Sequence, residues 1–535
     1  MVRPLQRIST NKHLVLAFLL LAGCARHAPF SASAPARVLR ISQRNEPASL
    51  DPAIATLPDD FFIIRALSEG LLVPSPTGGV PLPAAAERWE VSEDGLTYTF
   101  HLRANGRWSN GEPVTADDFA ASLRRVLTPA TAAPKADLLF AVRNARAYAA
   151  GRLANFTSVG VRALDPRTLV VTLERPTPAF PDYVASGTWI PANPRVVARF
   201  GEGWTRPGND VGNGPYVLTE WRPGQRLVVR KNPLYRGAAG IRLDEIQFIR
   251  FDAGDSEERA YRAGEIDVTM AVPFSKLEIY ARERPRELHH APLAETRYLA
   301  FNTRLPPLDD PRVRRALSLA VDRVKIVADV LRGGQQPACR LLPPELDAEG
   351  QNQTPAAPDR EADLALARRL LAEAGFPEGR GCRRLELSGW ANTPVLEAIQ
   401  AMWQQDLGIE VDIANREART HQAALRSGSY DIGFITLIPD LADPLAALGR
   451  FATGAPENYP HWSDARYDAL VDEARRVIDP ARHAALLREA EARIEDLCPL
   501  APIYFNAKNW LMLPTVHGWQ EDPFWTRDYS KLWIE

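Results

Sequence analysis

Cysteine and methionine are scarce, four of each in 535 residues. So few cysteines, with no CxxC pair, exclude a disulfide-stapled scaffold and leave no zinc-ligand spacing. Charge of one sign is not in excess. Sixty-four Lys and Arg face 66 Asp and Glu, for a formal net charge of −2. With no lysine/arginine run either, the electrostatic footprint of a nucleic-acid binder is missing. Apart from Leu14–Leu21 no apolar stretch is long, and that one is too short to span a bilayer. Internal repeats are absent. So are GxSxG and HExxH. The adjacent His289 and His290 would point to opposite faces of a strand and share no metal. No enzyme activity, metal or cofactor is expected. What is present is an ordinary globular composition, 45% hydrophobic and 24% charged, long enough for about three domain-sized units. The 12 tryptophans suit aromatic walls around a ligand as well as plain core.

The N-terminus carries the first positive signal. Arg3, Arg7 and Lys12 precede the short apolar run, which ends in Leu21-Ala22-Gly23-Cys24. This resembles a bacterial lipobox, in which the cysteine is lipidated; the bland alternative is an ordinary secretory signal with an accidental cysteine. Residues 1–24 are expected to be a lipoprotein signal peptide with Cys24 as the lipidated residue. The Ala/Pro/Ser-rich stretch 25–36 would be a tether. The body is then soluble, outside the cytoplasm, and anchored to a membrane by lipid. Arg26 follows Ala25 after the anchor cysteine, with no aspartate to signal inner-membrane retention, which favours the inner leaflet of an outer membrane if there is one. An exported compartment permits a disulfide. Cys339 and Cys382, both in loop-like sequence of one half, are expected to pair, and Cys498 to be a buried thiol.

Val38–Ile41 reads as a strand, and Asp59-Asp60 opens a helix stopped by Gly70. Residues 87–103 read as a hairpin turning at Asp94-Gly95. Thr115-Ala116-Asp117-Asp118 reads as a capping-box start, and 159–164 with 168–173 as a strand pair. Strands return within 212–235 and at 245–250, and a helix at 257–263. The stretch Tyr298–Arg323 divides the chain: a strand at 298–301, a Pro306-Pro307 break, then Asp310 as N-cap and Pro311 opening a helix. Val313, Ala316, Leu317, Ala320, Val321 and Val324 recur at helical spacing, with arginines opposite. Beyond it helices (360–374, 394–407) alternate with strands (385–387, 410–413, 432–437), which argues a second α/β lobe. Helices 464–477 and 480–496, a strand at 502–505 and an aromatic tail (Trp519, Phe524, Trp525, Trp533) complete the chain.

Five motifs occur in order: NEPASLDP at Asn45–Pro52, WSNGEPVTADDF at Trp108–Phe119, GPY at Gly214–Tyr216 with NPLY at Asn232–Tyr235, GEID at Gly264–Asp267, and DPRVRRAL at Asp310–Leu317. Together they resemble the family-5 extracellular solute-binding proteins of ABC importers, from about residue 38 to the C-terminus, with the oligopeptide binders nearest. The resemblance implies an α/β, two-lobe periplasmic-binding-protein fold of type II with an extra α+β domain. Lobe I would be 37–78 plus 209–303 plus 513–535, with 79–208 inserted, and lobe II 304–512. Two strand crossovers, one at the central stretch and one near Leu511, would form the hinge. The implied partners are a peptide ligand and ABC permease subunits, with the protein a monomer.

The same resemblance implies where a ligand is held. Asp440, in Ile438–Pro444, matches the family's ammonium-binding aspartate, whereas Asp443, before Pro444, reads as a helix N-cap. Glu46 falls at a ligand-facing acid, to contact a peptide backbone or to stay structural. Tyr298, Asn302 and Tyr504 would line the cleft from the hinge strands, or be core. Three positions depart from the pattern: Leu437 where a tryptophan is frequent, Phe434 where some members have an arginine, and Asn392 where some have a histidine for the ligand carboxylate. The far end of the ligand is then gripped differently, with Arg426 and His421 as substitutes. Longer peptides, a cell-wall fragment or an opine-like amine remain alternatives, as does a chaperone or sensor without transport.

Overall fold

Strict alternation builds the first sheet. In Val38–Gln43 the side chains of Leu39 and Ile41 are fully buried. The computed structural model describes residues 36–75, 80–346, 359–390, 393–439, 441–477, 479–520, 523–524 and 526–535, and the signal, tether and Cys24 expectations lie outside them. Val38–Gln43 pairs in parallel with Glu245–Arg250. Arg226–Lys231 and Tyr216–Arg222 extend that sheet antiparallel. Its core holds Ile63, Ile64 and Leu67 of the helix Pro58–Leu67.

A second four-stranded antiparallel sheet orders Ala86–Val91, Thr97–Leu102, Thr168–Thr172 and Val161–Asp165. The expected hairpin is there, with Gly95 at φ +67° in its turn. Helix Ala116–Leu127 covers this sheet. Its capping box closes as read: Asp118 N–H donates to Thr115 Oγ1 (3.3 Å), and Thr115 N–H to Asp118 Oδ2 (3.0 Å).

The third sheet is six-stranded, in the order Gln336–Pro337, Leu500–Leu511, Leu288–Phe301, Ile432–Leu437, Leu385–Gly389, Val411–Asn415. Its outer members pair in parallel, as the helix–strand alternation implied. Two strands are much longer than their sequence reading. The strand expected at 298–301 runs over Leu288–Phe301, and the one at 502–505 over Leu500–Leu511. They pair antiparallel, with irregular register between Pro292 and Thr296. At one end Ala291 and Trp510 belong to the core of the first sheet. At the other Leu299, Phe301 and Ala501 belong to a separate core under the six-stranded sheet. Two lobes thus share two continuous strands.

The helix after Asp310 is shorter than expected. It covers Pro311–Leu319, with Arg312 N–H donating to Asp310 Oδ1 (2.8 Å). Asp322 then caps a new turn, and Val324 is exposed. Not all its arginines face out. Arg314 is buried and donates to the carbonyls of Leu497 (2.6 Å) and Cys498 (2.9 Å), where helix Pro480–Leu497 ends. A cation there meets the negative end of a helix and its unpaired carbonyls.

The expected Cys339–Cys382 disulfide is corrected: both thiols are free. Cys339 follows the first strand of the six-stranded order and Cys382 precedes the fifth. Four strand spacings are roughly 19 Å, far beyond the ~7 Å within which two cysteine Cα atoms can be bridged. Cys498 is buried, as expected, and burial pushes its thiol pKa up.

Candidate ligand-binding site

The crossing strands place the candidate residues, because side chains alternate between the two faces of a strand. On Leu288–Phe301, Leu299 and Phe301 face one core while Tyr298 and Ala300 face another. Tyr298 is 2% exposed and meets Phe451 edge-on at 5.9 Å. It lies on the face opposite Phe434 and Tyr504, packed in a different core. Leu437 shares the Tyr298 side. Asn302, also buried, donates through Nδ2 to the carbonyls of Gly428 (3.0 Å) and Tyr430 (2.9 Å), and its Oδ1 accepts from Arg304 N–H (3.3 Å). It ties the strand end to the turn before Ile432–Leu437.

Phe434 and Tyr504 do come together, with ring centroids 6.3 Å apart. Arg297 stands with them, its guanidinium 5.7 Å from the Phe434 ring centroid. Leu299 opposes Phe434, and Arg297 opposes Thr436, in the strand pairing. Arg297 is half-buried. Its Nε and Nη1 are shielded from solvent and have no hydrogen-bond partner among the described residues. Sequence reasoning missed this residue. The available signal was a lone arginine in the otherwise apolar and aromatic Tyr298–Phe301 neighbourhood.

The expected substitutes are engaged elsewhere. His421 Nε2 lies 3.2 Å from the Phe434 carbonyl oxygen, and burial pushes its pKa down. Facing a carbonyl oxygen, Nε2 carries a proton and donates it there. Arg426 hydrogen-bonds the Tyr459 side chain. Asn392 and Asp440 lie outside the described residues. Asp443 caps helix Pro444–Leu448 as expected, its Oδ1 accepting from Leu445 N–H (2.9 Å).

Glu46 sits on the first lobe. Its Oε1 accepts from Trp221 Nε1–H (2.6 Å) and its Oε2 from Gly224 N–H (2.9 Å). It borders a pocket with Gln43, Trp221, Phe248 and Arg250. That pocket's empty volume of ≈ 220 Å³ falls below the roughly 300–1,000 Å³ of typical ligand clefts.

The segment after Ile432–Leu437 reaches across to the inserted sheet. Leu441 and Ala446 pack into the core built on Phe100, Phe119 and Trp189. Asp443 comes close enough to Asp182 of helix Phe180–Ala185 to raise its pKa. Burial, then the Asp443 charge, push Asp182 up to about 7. Among the described residues no group of His, Cys, Asp and Glu could hold a metal. No helix among the described residues is long and apolar enough to cross a membrane.

Two lobes on a pair of shared strands define a solute-binding protein of the two-lobe periplasmic class. The model of the family "Bacterial extracellular solute-binding proteins, family 5 Middle" matches residues 80–459. The chain belongs to that family, and it is a binding protein, not an enzyme. It is 35% identical over 490 residues to the probable deoxycholate-binding periplasmic protein YgiS of Escherichia coli, covering 91% of each chain. It is 32% identical to the periplasmic oligopeptide-binding protein OppA of the same organism, covering 96% of this chain and 97% of that one. Among solved structures, the Escherichia coli murein tripeptide binding protein MppA matches with TM-score 0.81 and 31% identity, over 94% of this chain and 99% of that one.

Proposed function

We propose that this protein is a lipid-anchored receptor outside the cytoplasm that encloses oligopeptides between its lobes and delivers them to the permease of an ABC importer. The observation that carries the reading is the end-to-end likeness to an oligopeptide-binding protein, over 96% of this chain. The two shared strands support a hinge at which the lobes close, so that ligand favours the closed population. Lobe I would comprise 37–78, 209–303 and 513–535, with 79–208 inserted, and lobe II 304–512. The receptor works as a monomer, held by Cys24.

An extended peptide is recognised through its backbone, which leaves its side chains free to vary. Its ammonium then requires a fixed carboxylate, and Asp440 takes that role. Asp443, the other acid of the segment, supports this by being engaged as an N-cap. A charge-assisted hydrogen bond contributes about 1.5–3 kcal/mol, roughly ten- to a hundredfold in affinity. Asp440→Ala should lose that factor for trialanine and little for N-acetyl-trialanine. Calorimetry showing equal losses for both peptides refutes the role. Mass spectrometry of solutes retained through purification tests the ligand class, with heterogeneous short peptides as the expected finding.

A second reading has its own support. The 35% identity to a probable deoxycholate-binding protein favours an amphipathic steroid acid as solute. Retention of a single small apolar acid, with no peptides, would select it.

A further inference from the structure

We infer that Arg297 is the receptor for a carboxylate group of the bound solute, at the base of the cleft where the shared strands enter the second lobe. The inference rests on the reading that a solute is enclosed between the lobes. Among the described residues four arginines have a shielded N–H without a hydrogen-bond partner: Arg250, Arg297, Arg416 and Arg527. Three of them are otherwise satisfied. Arg250 pairs with Asp252 (2.8 Å), Arg416 with Glu386 (2.8 Å), and Arg527 Nη2 lies 2.9 Å from Met270 Sδ. Arg297 alone of the four has neither an ion pair nor a side-chain hydrogen bond among the described residues. Its guanidinium lies 5.7 Å from the Phe434 ring centroid, and that ring is paired with Tyr504.

A guanidinium taken from water without an anion is costly, and native proteins almost always pair it. A ring face returns only a small part of that cost. The planar fork of N–H donors is matched by a carboxylate, which takes two parallel hydrogen bonds. Among the described residues no nearby carboxylate pairs with Arg297. Glu295, two residues back, accepts from Asn506 Nδ2 (2.7 Å), and Glu386 holds Arg416. His421 is turned to the Phe434 carbonyl, and burial disfavours its charged form. Arg297 follows the register irregularity between Pro292 and Thr296, where the strand leaves one core for the other. It therefore sits next to the joint on which the lobes move. An anion seated there interacts with the hinge strand itself.

The carboxylate has two sources, a peptide C-terminus or a steroid acid side chain. The test titrates the full chain by calorimetry with two matched pairs of probes: trialanine against trialanine amide, and deoxycholate against its neutral primary amide. The unchanged protein should prefer the acid of at least one pair by about ten- to a hundredfold. Arg297→Met should reduce that preference to within about threefold. Arg297→Lys, which keeps the charge but not the fork, should retain part of it. Thermal unfolding confirms that each variant is folded, and the acid–amide comparison on the unchanged protein needs no variant at all. Preference in the peptide pair supports both the Arg297 site and the peptide reading. Preference in the deoxycholate pair, with neither peptide probe bound, supports Arg297 and overturns peptides as the solute. Peptide acid and amide binding equally, or losing equally in Arg297→Met, overturns Arg297 while the peptide reading stands. Binding of none of the four probes overturns the inference.

Discussion

Glu46 shows how a residue's local duties limit its functional reading. Both its oxygens accept hydrogen bonds within the first lobe, from Trp221 and Gly224. Glu46→Ala should therefore cost stability, about 1–3 kcal/mol by urea unfolding, because the partly buried indole N–H loses its acceptor. Trialanine affinity should change less than twofold. A tenfold loss of affinity with unchanged stability would show instead that the carboxylate serves the ligand. Asn302 is a comparable case, joining a strand end to Gly428 and Tyr430. Both residues were legible in the sequence as polar groups at strand ends. Their partners were not, since Trp221 lies 175 residues from Glu46. Arg297 escaped sequence reading for the opposite reason: what marks it is a missing partner, and only a folded neighbourhood can show that.

At the scale of elements, local signals were read well where one segment decides its own conformation. The Thr115 capping box, the Asp94-Gly95 turn and the Asp310-Pro311 helix start formed as expected, because a cap or turn satisfies backbone groups two or three residues away. The long strands were read short. Polar and proline residues at 289–292 break the apolar alternation, yet pairing with Ala507–Trp510 holds the strand there. The contact between helix Phe180–Ala185 and the cap of Pro444–Leu448 yields a pH dependence. Asp182 is raised from 3.8 to about 7, by burial first and then by Asp443, and Asp443 is itself raised by burial. Arg475, Arg175 and Asp137 act on the neighbouring Tyr183, and His483 on Asp443. A carboxyl with a raised folded-state pKa binds more protons folded than unfolded, so stability falls as pH rises from about 4 to about 7. Buried Asp210 and Glu491, each also near 7, add the same sign. Thermal unfolding without ligand should give a higher Tm at pH 5 than at pH 8. Asp182→Asn should narrow that difference by its share. A variant with the full difference would show that Asp182 is ionised as readily in the fold as outside it.

The whole molecule is two lobes, each with its own core, joined by strands that belong to both. On the proposed reading, a ligand between such lobes binds the closed arrangement better than the open one, and the population shifts accordingly. The radius of gyration from solution scattering should fall when a retained solute is added back to stripped protein. An unchanged curve at saturating solute would exclude closure about the shared strands.

The sequence by itself determined the class of fold, the caps and turns, the strand–helix alternation of the second lobe and the likeness to a family of binding proteins. Each follows from spacing within a segment or from motifs kept in order along the chain. Tertiary structure decided that Cys339 and Cys382 stay apart, that Arg314 is buried on helix-end carbonyls, that Tyr298 faces away from Phe434, and that Arg297 meets no carboxylate among the described residues. These depend on which distant segments become neighbours in the six-stranded sheet. Such neighbours are set by packing across hundreds of residues, and no local spacing encodes them.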